Sequence, residues 1–161
     1  MKKLLLLFCA ASFFIANNAN AQRSRSRAAA SSETENSAGL TVDFGDGSTL
    51  VGPALKHFFD RNNAGQVELL FGNGGSYLAA YYQYNAPIQN AGGLNYYLGI
   101  GPALGFGHGD TDFYIRPMAG LDYKVGDTPL DLSFDWRPAF YVGDNSDFTA
   151  ARFGLGLRFS F

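Results

Sequence analysis

Two runs near the end of the chain, 130–142 and 148–161, alternate so strictly between apolar and polar side chains that they fit a strand and not a helix. In the first, Leu130, Leu132, Phe134, Trp136, Pro138, Phe140 and Val142 share one face, and Asp131, Ser133, Asp135, Arg137, Ala139 and Tyr141 share the other. After Gly143-Asp144-Asn145-Ser146-Asp147 the pattern resumes. Ala151, Phe153, Leu155, Leu157, Phe159 and Phe161 now take the apolar side, against Ala150, Arg152, Gly154, Gly156, Arg158 and Ser160. A wholly apolar sheet face needs a cover, and no stretch reads as a long helix able to supply one. Lipid supplies it instead: in hydrocarbon every backbone group must be paired within the protein, and a closed sheet does that.

The rest of the chain repeats the pattern. Strands are predicted over 40–44, 50–59, 67–71, 76–85, 94–106, 112–125, 130–142 and 148–161, each bounded by Gly, Asn and Asp clusters. Short links between successive strands favour a meander over a Greek key. The expected fold is all-β, an eight-stranded antiparallel up-and-down transmembrane β-barrel over 39–161. In that fold both chain ends lie in the periplasm and the first, third, fifth and seventh links face outward. Phe58, Phe59, Tyr82, Tyr84, Tyr96, Tyr97 and Tyr123 then fall at periplasmic strand ends as an interfacial girdle.

The first 21 residues read as a secretory signal peptide: Met1-Lys2-Lys3, an apolar run from Leu4 to Ile15, and Ala19-Asn20-Ala21 as the cleavage site. The run is too short to span a bilayer. Residues 22–38, with Arg23, Arg25 and Arg27 and no apolar periodicity, read as a disordered periplasmic lead-in. Cys9 is the single cysteine and falls in the signal peptide, so disulfide and thiolate chemistry are excluded from the mature chain. Loss of Lys2 and Lys3 leaves ten basic against 14 acidic residues, a net charge of −4 that gives a nucleic-acid partner no electrostatic support.

Four prolines, Pro53, Pro102, Pro117 and Pro138, fall inside strands, where each removes a ladder donor. If the relevant turns centre between Gly109 and Asp110 and between Asp127 and Thr128, Pro102 faces Pro117 and Pro117 faces Pro138. A bulge or local bend is expected in that wall.

From about Gly39 to the end, the chain resembles the small bacterial outer-membrane β-barrel proteins of the OmpA/OmpX-like type. The stretch Leu130-Asp131-Leu132-Ser133-Phe134-Asp135-Trp136-Arg137-Pro138 is similar to an aspartate-tryptophan-basic-proline strand of that family. The ending Arg158-Phe159-Ser160-Phe161 is similar to its C-terminal aromatic signal, in which Phe161, Phe159 and Leu157 would be read by the barrel-assembly machinery. The resemblance implies location in the cell outer membrane, among lipid and lipopolysaccharide, and implies no single activity.

Candidate chemistry is sparse. Barrel lipid hydrolases need a His with a Ser or Asp partner. His57 has no nearby Ser and reads as a girdle residue, while His108 sits in the turn Gly107-His108-Gly109-Asp110. The predicted outer links carry Asp46, Asp110, Asp112, Asp144 and Asp147, but no spacing matches a calcium loop and Asp-Gly and Asp-Asn are ordinary turn formers. Gly99, Gly101, Gly105 and Gly107 alternate on the inward face, making room for large neighbours. No catalytic residue, metal site or cofactor is expected.

The inward register instead gathers Lys56, Arg116, Lys124, Arg137, Arg152 and Arg158 against Asp43, Glu68, Asp122, Asp131 and Asp135. A barrel of eight strands is only wide enough for side chains. These, with Tyr97, Tyr114, Met118 and Tyr141, are expected to fill it as charge pairs, Lys124 opposite Asp131 and Asp135 diagonal to Arg158. The expected function is that of a monomeric, non-enzymatic barrel with a structural or envelope-interaction role. The alternatives are a narrow channel or lateral transporter of small apolar solutes and, less supported, an outer-membrane lipid hydrolase.

Overall fold

A computed structural model describes residues 36–73, 75–107, 110–143 and 147–161. The expected signal peptide and most of the lead-in lie outside these residues. Ten strand segments are present: β1 (Asn36–Gly45), β2 (Ser48–Phe58), β3 (Asn63–Gly72), β4 (Gly75–Pro87), β5 (Leu94–Gly107), β6 (Asp110–Lys124), β7 (Leu130–Trp136), β8 (Ala139–Tyr141), β9 (Phe148–Thr149) and β10 (Arg152–Ser160). β1 to β7 pair antiparallel in chain order, β8 pairs with β6 and β9, and β10 pairs with β7 and returns to β1, which closes the sheet. β7 and β8 are two parts of one wall position, because β6 pairs with both in a single register, Ala119 opposite Trp136 and Tyr114 opposite Tyr141. With β9 and β10 likewise joined, the segments make an eight-stranded up-and-down barrel.

Most boundaries follow from the alternation, and two depart from it. β1 begins at Asn36, inside the stretch read as lead-in. Asn36 and Phe161 exchange backbone hydrogen bonds of 3.2 and 2.8 Å across the closing seam, so this polar segment is held by pairing and not by apolar burial. β3 begins at Asn63, four residues before the predicted start, and Gly65 there lies beneath the Phe59 ring. An aromatic covering a strand glycine replaces the missing side chain. The first hairpin is tight: Asp46 and Gly47 both have positive φ, 48° and 72°, which is the type I′ geometry whose twist matches two antiparallel strands.

The prolines show how a closed wall tolerates lost donors. The β2–β3 ladder lapses beside Pro53 and the β4–β5 ladder beside Pro102, and each resumes in the same register. Pro117 lies level with Pro138 in the β6 register, whereas Pro102 faces Ile115 and not Pro117. At Pro138 the wall does bulge. Phe153 stands opposite Trp136 but Thr149 stands opposite Ala139, so β9–β10 carries one extra residue over this interval. Pro138, expected on the lipid face, is buried there. The carbonyls freed by the irregularity find other donors: Trp136 Nε1 donates to Ala150 O at 2.6 Å, and Arg116 Nη2 to Arg137 O at 3.2 Å. Trp136→Phe keeps the ring and removes the first of these. It is expected to lower stability by about 1–3 kcal/mol, read as an earlier urea-unfolding midpoint in detergent micelles.

Burial in this barrel is inverted. Leu40, Leu55, Leu98 and Ile100 are more than half exposed, while Asp43, Glu68, Asp135, Arg116 and Arg137 are all at 2% or below.

Candidate functional site

The buried charges line the bore. Asp43, Lys56, Glu68, Arg116, Asp122, Lys124, Asp131, Asp135, Arg137, Arg152 and Arg158 all lie on the inward register of their strands, and most fall into two groups.

The central group is built on Arg137. Its guanidinium donates to Glu68 at 2.8 Å and to both carboxylate oxygens of Asp135, and its Nη1 lies 4.0 Å from Asp43. Asp43 in turn accepts from Arg116 at 2.7 Å and from Arg152 at 2.9 and 2.7 Å. Tyr97 OH donates to the Asp135 carboxylate at 2.6 Å, and a chain of amides continues from Gln83 through Gln66 to Glu68. Three carboxylates thus meet three guanidinium groups, and the forked geometry of arginine lets each hold more than one partner.

The second group sits nearer the end that carries Asn36 and Phe161, the terminal end. Asp122 accepts from Arg158 at 2.5 Å and from Lys56 at 3.3 Å. Arg158 also donates to Ser133, Lys56 to Asn85 at 2.7 Å, and Ser160 to Asp131. Lys124 stands directly opposite Asp131 in the ladder. The expected pairing of Asp135 with Arg158 is not made. Gly154, not Arg158, stands opposite Asp135, and Asp135 turns to Arg137 two residues along its own strand.

Glycines shape both groups. A Cβ on Gly154 would collide with the Arg137 guanidinium, one on Gly156 with Ser133 Oγ, and one on Gly120 with Asp135 and Tyr97. The central charges therefore occupy space that bare backbone leaves open.

Aromatic rings lie toward both ends of the bore. At the terminal end the Lys56 ammonium lies 4.9 Å from the centre of the Phe58 ring and 5.1 Å from that of Tyr97. Both rings face the bore: Phe58, read from sequence as a girdle residue, turns inward, and Tyr97, named both among the girdle and among the bore fillers, is a bore residue. At the loop end Tyr77, Tyr114 and Tyr141 pack in series, with ring centres 5.8 and 5.6 Å apart. Met118, Tyr81, Ala79 and Ala103 fill the space between, beside the inward glycines of β5. None of these ring contacts is visible in alternation, which assigns a face but not a height along the bore.

The other candidates do not converge. His57 points outward at the terminal rim, its Nδ1 2.7 Å from Asn36 Oδ1, so its partner is an amide and neither a hydroxyl nor a carboxylate. His108, Asp144 and the side chain of Asp110 lie outside the described residues. Among the described residues no group of three His, Cys, Asp or Glu side chains is placed to hold a metal ion.

No protein-family model and no curated protein sequence matches the chain. Among solved structures, the chain is similar to the N-terminal β-barrel domain of OprF from Pseudomonas aeruginosa, with 14% identity, a TM-score of 0.61 and coverage of 81% of this chain and 100% of that one. It is similar also to Neisserial surface protein A, with 15% identity, a TM-score of 0.50 and coverage of 80% and 96%. The chain has the fold of the small OmpA/OmpX-like outer-membrane barrels, eight antiparallel strands closed into a barrel.

Proposed function

We propose that the protein is an integral, non-enzymatic component of a bacterial outer membrane, with a structural or envelope-interaction role and a bore that does not conduct. The inside-out distribution of side chains carries this reading. Among the described residues, Arg116, Arg137, Asp43 and Glu68 are sealed inside while 28 large apolar residues stand exposed outside, an arrangement unstable in water and stable in lipid. The similar solved structures support the same surroundings. The ion-paired bore with rings over both ends favours a closed wall over a channel. Among the described residues, His57 meets an amide, which offers a hydrolase no activated nucleophile.

The proposal extends to assembly. Phe161, Phe159 and Leu157 form an outward row on the last strand, half exposed, where the assembly machinery and lipid can meet them. Fractionation of cells producing the full chain is expected to place it in the outer membrane as a species that migrates differently before and after boiling. Phe161→Asp is expected to leave it exported and stranded in the periplasm. Equal outer-membrane amounts of the two forms would count against the assembly signal, and a soluble wild type would count against the membrane reading itself.

A further inference from the structure

One inward carboxylate stands apart from the charge network. Asp43 is held by Arg116 and Arg152, Glu68 and Asp135 by Arg137, and Asp122 by Arg158 and Lys56, while Asp131 faces Lys124 in the ladder. Asp112, on the inward register of β6 near the loop end, meets a phenol instead. Tyr114 OH donates to it at 3.4 Å, and no lysine or arginine among the described residues is paired with it. Arg116, on the same face of the same strand, turns away to Asp43 at 2.7 Å and to the Arg137 carbonyl at 3.2 Å. Arg152 is engaged by Asp43 and by Ser48.

Aromatic rings lie beside this carboxylate. Asp112 stands opposite Gly105 in the β5–β6 ladder, and a Cβ on Gly105 would come within 3.0 Å of Tyr77 Cε1 and 3.1 Å of Tyr114 Cε2. Both rings therefore lie over bare backbone next to Asp112, with centres 5.8 Å apart, and Tyr141 follows 5.6 Å from Tyr114. The ring planes are tilted at 45° and 57°, so neither pair stacks its π faces together. All three tyrosines are part-exposed, which leaves ring surface open at the mouth.

An aromatic face and a carboxylate both attract a cation. The outer links strengthen that field, since they carry Asp46, Asp110, Asp144 and Asp147 and no Lys or Arg. A hard metal ion is poorly served here. Calcium takes about six to eight oxygen ligands and magnesium a near-octahedral set, whereas no group of three His, Cys, Asp or Glu side chains among the described residues is placed to hold a metal. An alkylated ammonium ion is weakly hydrated and needs no such shell. It gains from ring faces what a metal would need from oxygen.

We propose that the tyrosine-lined mouth is a binding site for a small organic ammonium ion, seated against Tyr77 and Tyr114 with its charge toward Asp112. The ion comes from solution and not from lipid, because these side chains lie on the inward register and the barrel wall separates them from the apolar belt. The site opens no path through the bore, since Arg116 and Arg137 stay in the central group beneath it. It depends on the fold and not on the membrane setting.

The test titrates choline into the full chain, refolded in octyl glucoside micelles with isotope-labelled tyrosine rings, and follows the ring resonances by NMR. Octyl glucoside carries no choline headgroup to compete. Tyr77→Phe and Tyr114→Phe assign the resonances. Choline is expected to shift both rings saturably, with a midpoint in the millimolar range. Two comparisons are expected to bind about three- to ten-fold more weakly: the neutral alcohol with a tert-butyl group in place of the trimethylammonium, on the wild type, and choline on Asp112→Asn. That variant keeps the shape of the side chain, and the gel shift verifies its folding. Equal binding of the neutral alcohol, or an unchanged midpoint in Asp112→Asn, overturns the proposal. So does the absence of a saturable shift, or one confined to the outward Tyr82, Tyr84 and Tyr96. Displacement of choline by magnesium chloride beyond that caused by sodium chloride of equal ionic strength also overturns it, in favour of a metal site.

Discussion

Arg137→Ala is expected to be the most damaging single truncation of the bore, costing about 3–5 kcal/mol, because it removes one partner of a buried network and leaves charge uncompensated. The guanidinium is held by Glu68 at 2.8 Å and by both oxygens of Asp135, and Asp43 is near, all effectively inaccessible to solvent. Alanine would leave three carboxylates facing Arg116 and Arg152 alone. Arg137→Met with Glu68→Gln removes one charge of each sign, leaves two carboxylates facing two guanidinium groups, and is expected to recover part of the loss. Urea unfolding in micelles, followed by the folded-to-unfolded shift on gels, measures both; a single change as harmless as the double one would contradict the network.

The second large effect concerns a residue with no side chain. Gly154→Ala puts a methyl group into the Arg137 guanidinium, which its carboxylate partners prevent from moving aside. Overpacking alone costs about 1–3 kcal/mol, and displacement of the guanidinium adds the loss of its pairs. The two changes are therefore expected to be strongly non-additive: with Arg137 already replaced by alanine, the added methyl at 154 meets open space and costs little. Additive losses, measured in the same unfolding assay, would show that Gly154 acts through backbone freedom instead.

The alternation that runs through Leu130 to Phe161 made the faces legible in sequence, since a period of two assigns each side chain to lipid or bore without knowledge of neighbours. The turn Asp127-Thr128 fixed the β6–β7 register, and with it Lys124 opposite Asp131. Three features were hidden for different physical reasons. The prolines announced a bulge in this wall but not the strand that carries it, because the extra residue lies near Ala150 and Ala151, whose small neutral side chains mark neither face. Asp135 and Arg137 are neighbours on one face of one strand, a separation that a long arginine spans more easily than the four-residue offset to Arg158. The contacts of Asp43 with Arg116 and of Lys56 with Asp122 cross the bore between strands that are not paired, so no ladder register predicts them.

Apart from Lys124 opposite Asp131, the charges were thus readable as a set and not as pairs. The set alone indicated near balance of sign. The proposed closure of the bore rests on the pairs, and on Phe58, Tyr77, Tyr114 and Tyr141 at the two ends.

Ion conductance of the purified full chain in a planar lipid bilayer tests the closed bore most directly. Wild-type protein, its insertion verified by the gel shift of the recovered sample, is expected to show no steady current above the bare bilayer at either polarity. Arg137→Ala, where it still folds, is expected to give intermittent openings as the central group loosens. Steady unitary currents from the wild type would contradict the account and make the protein a channel.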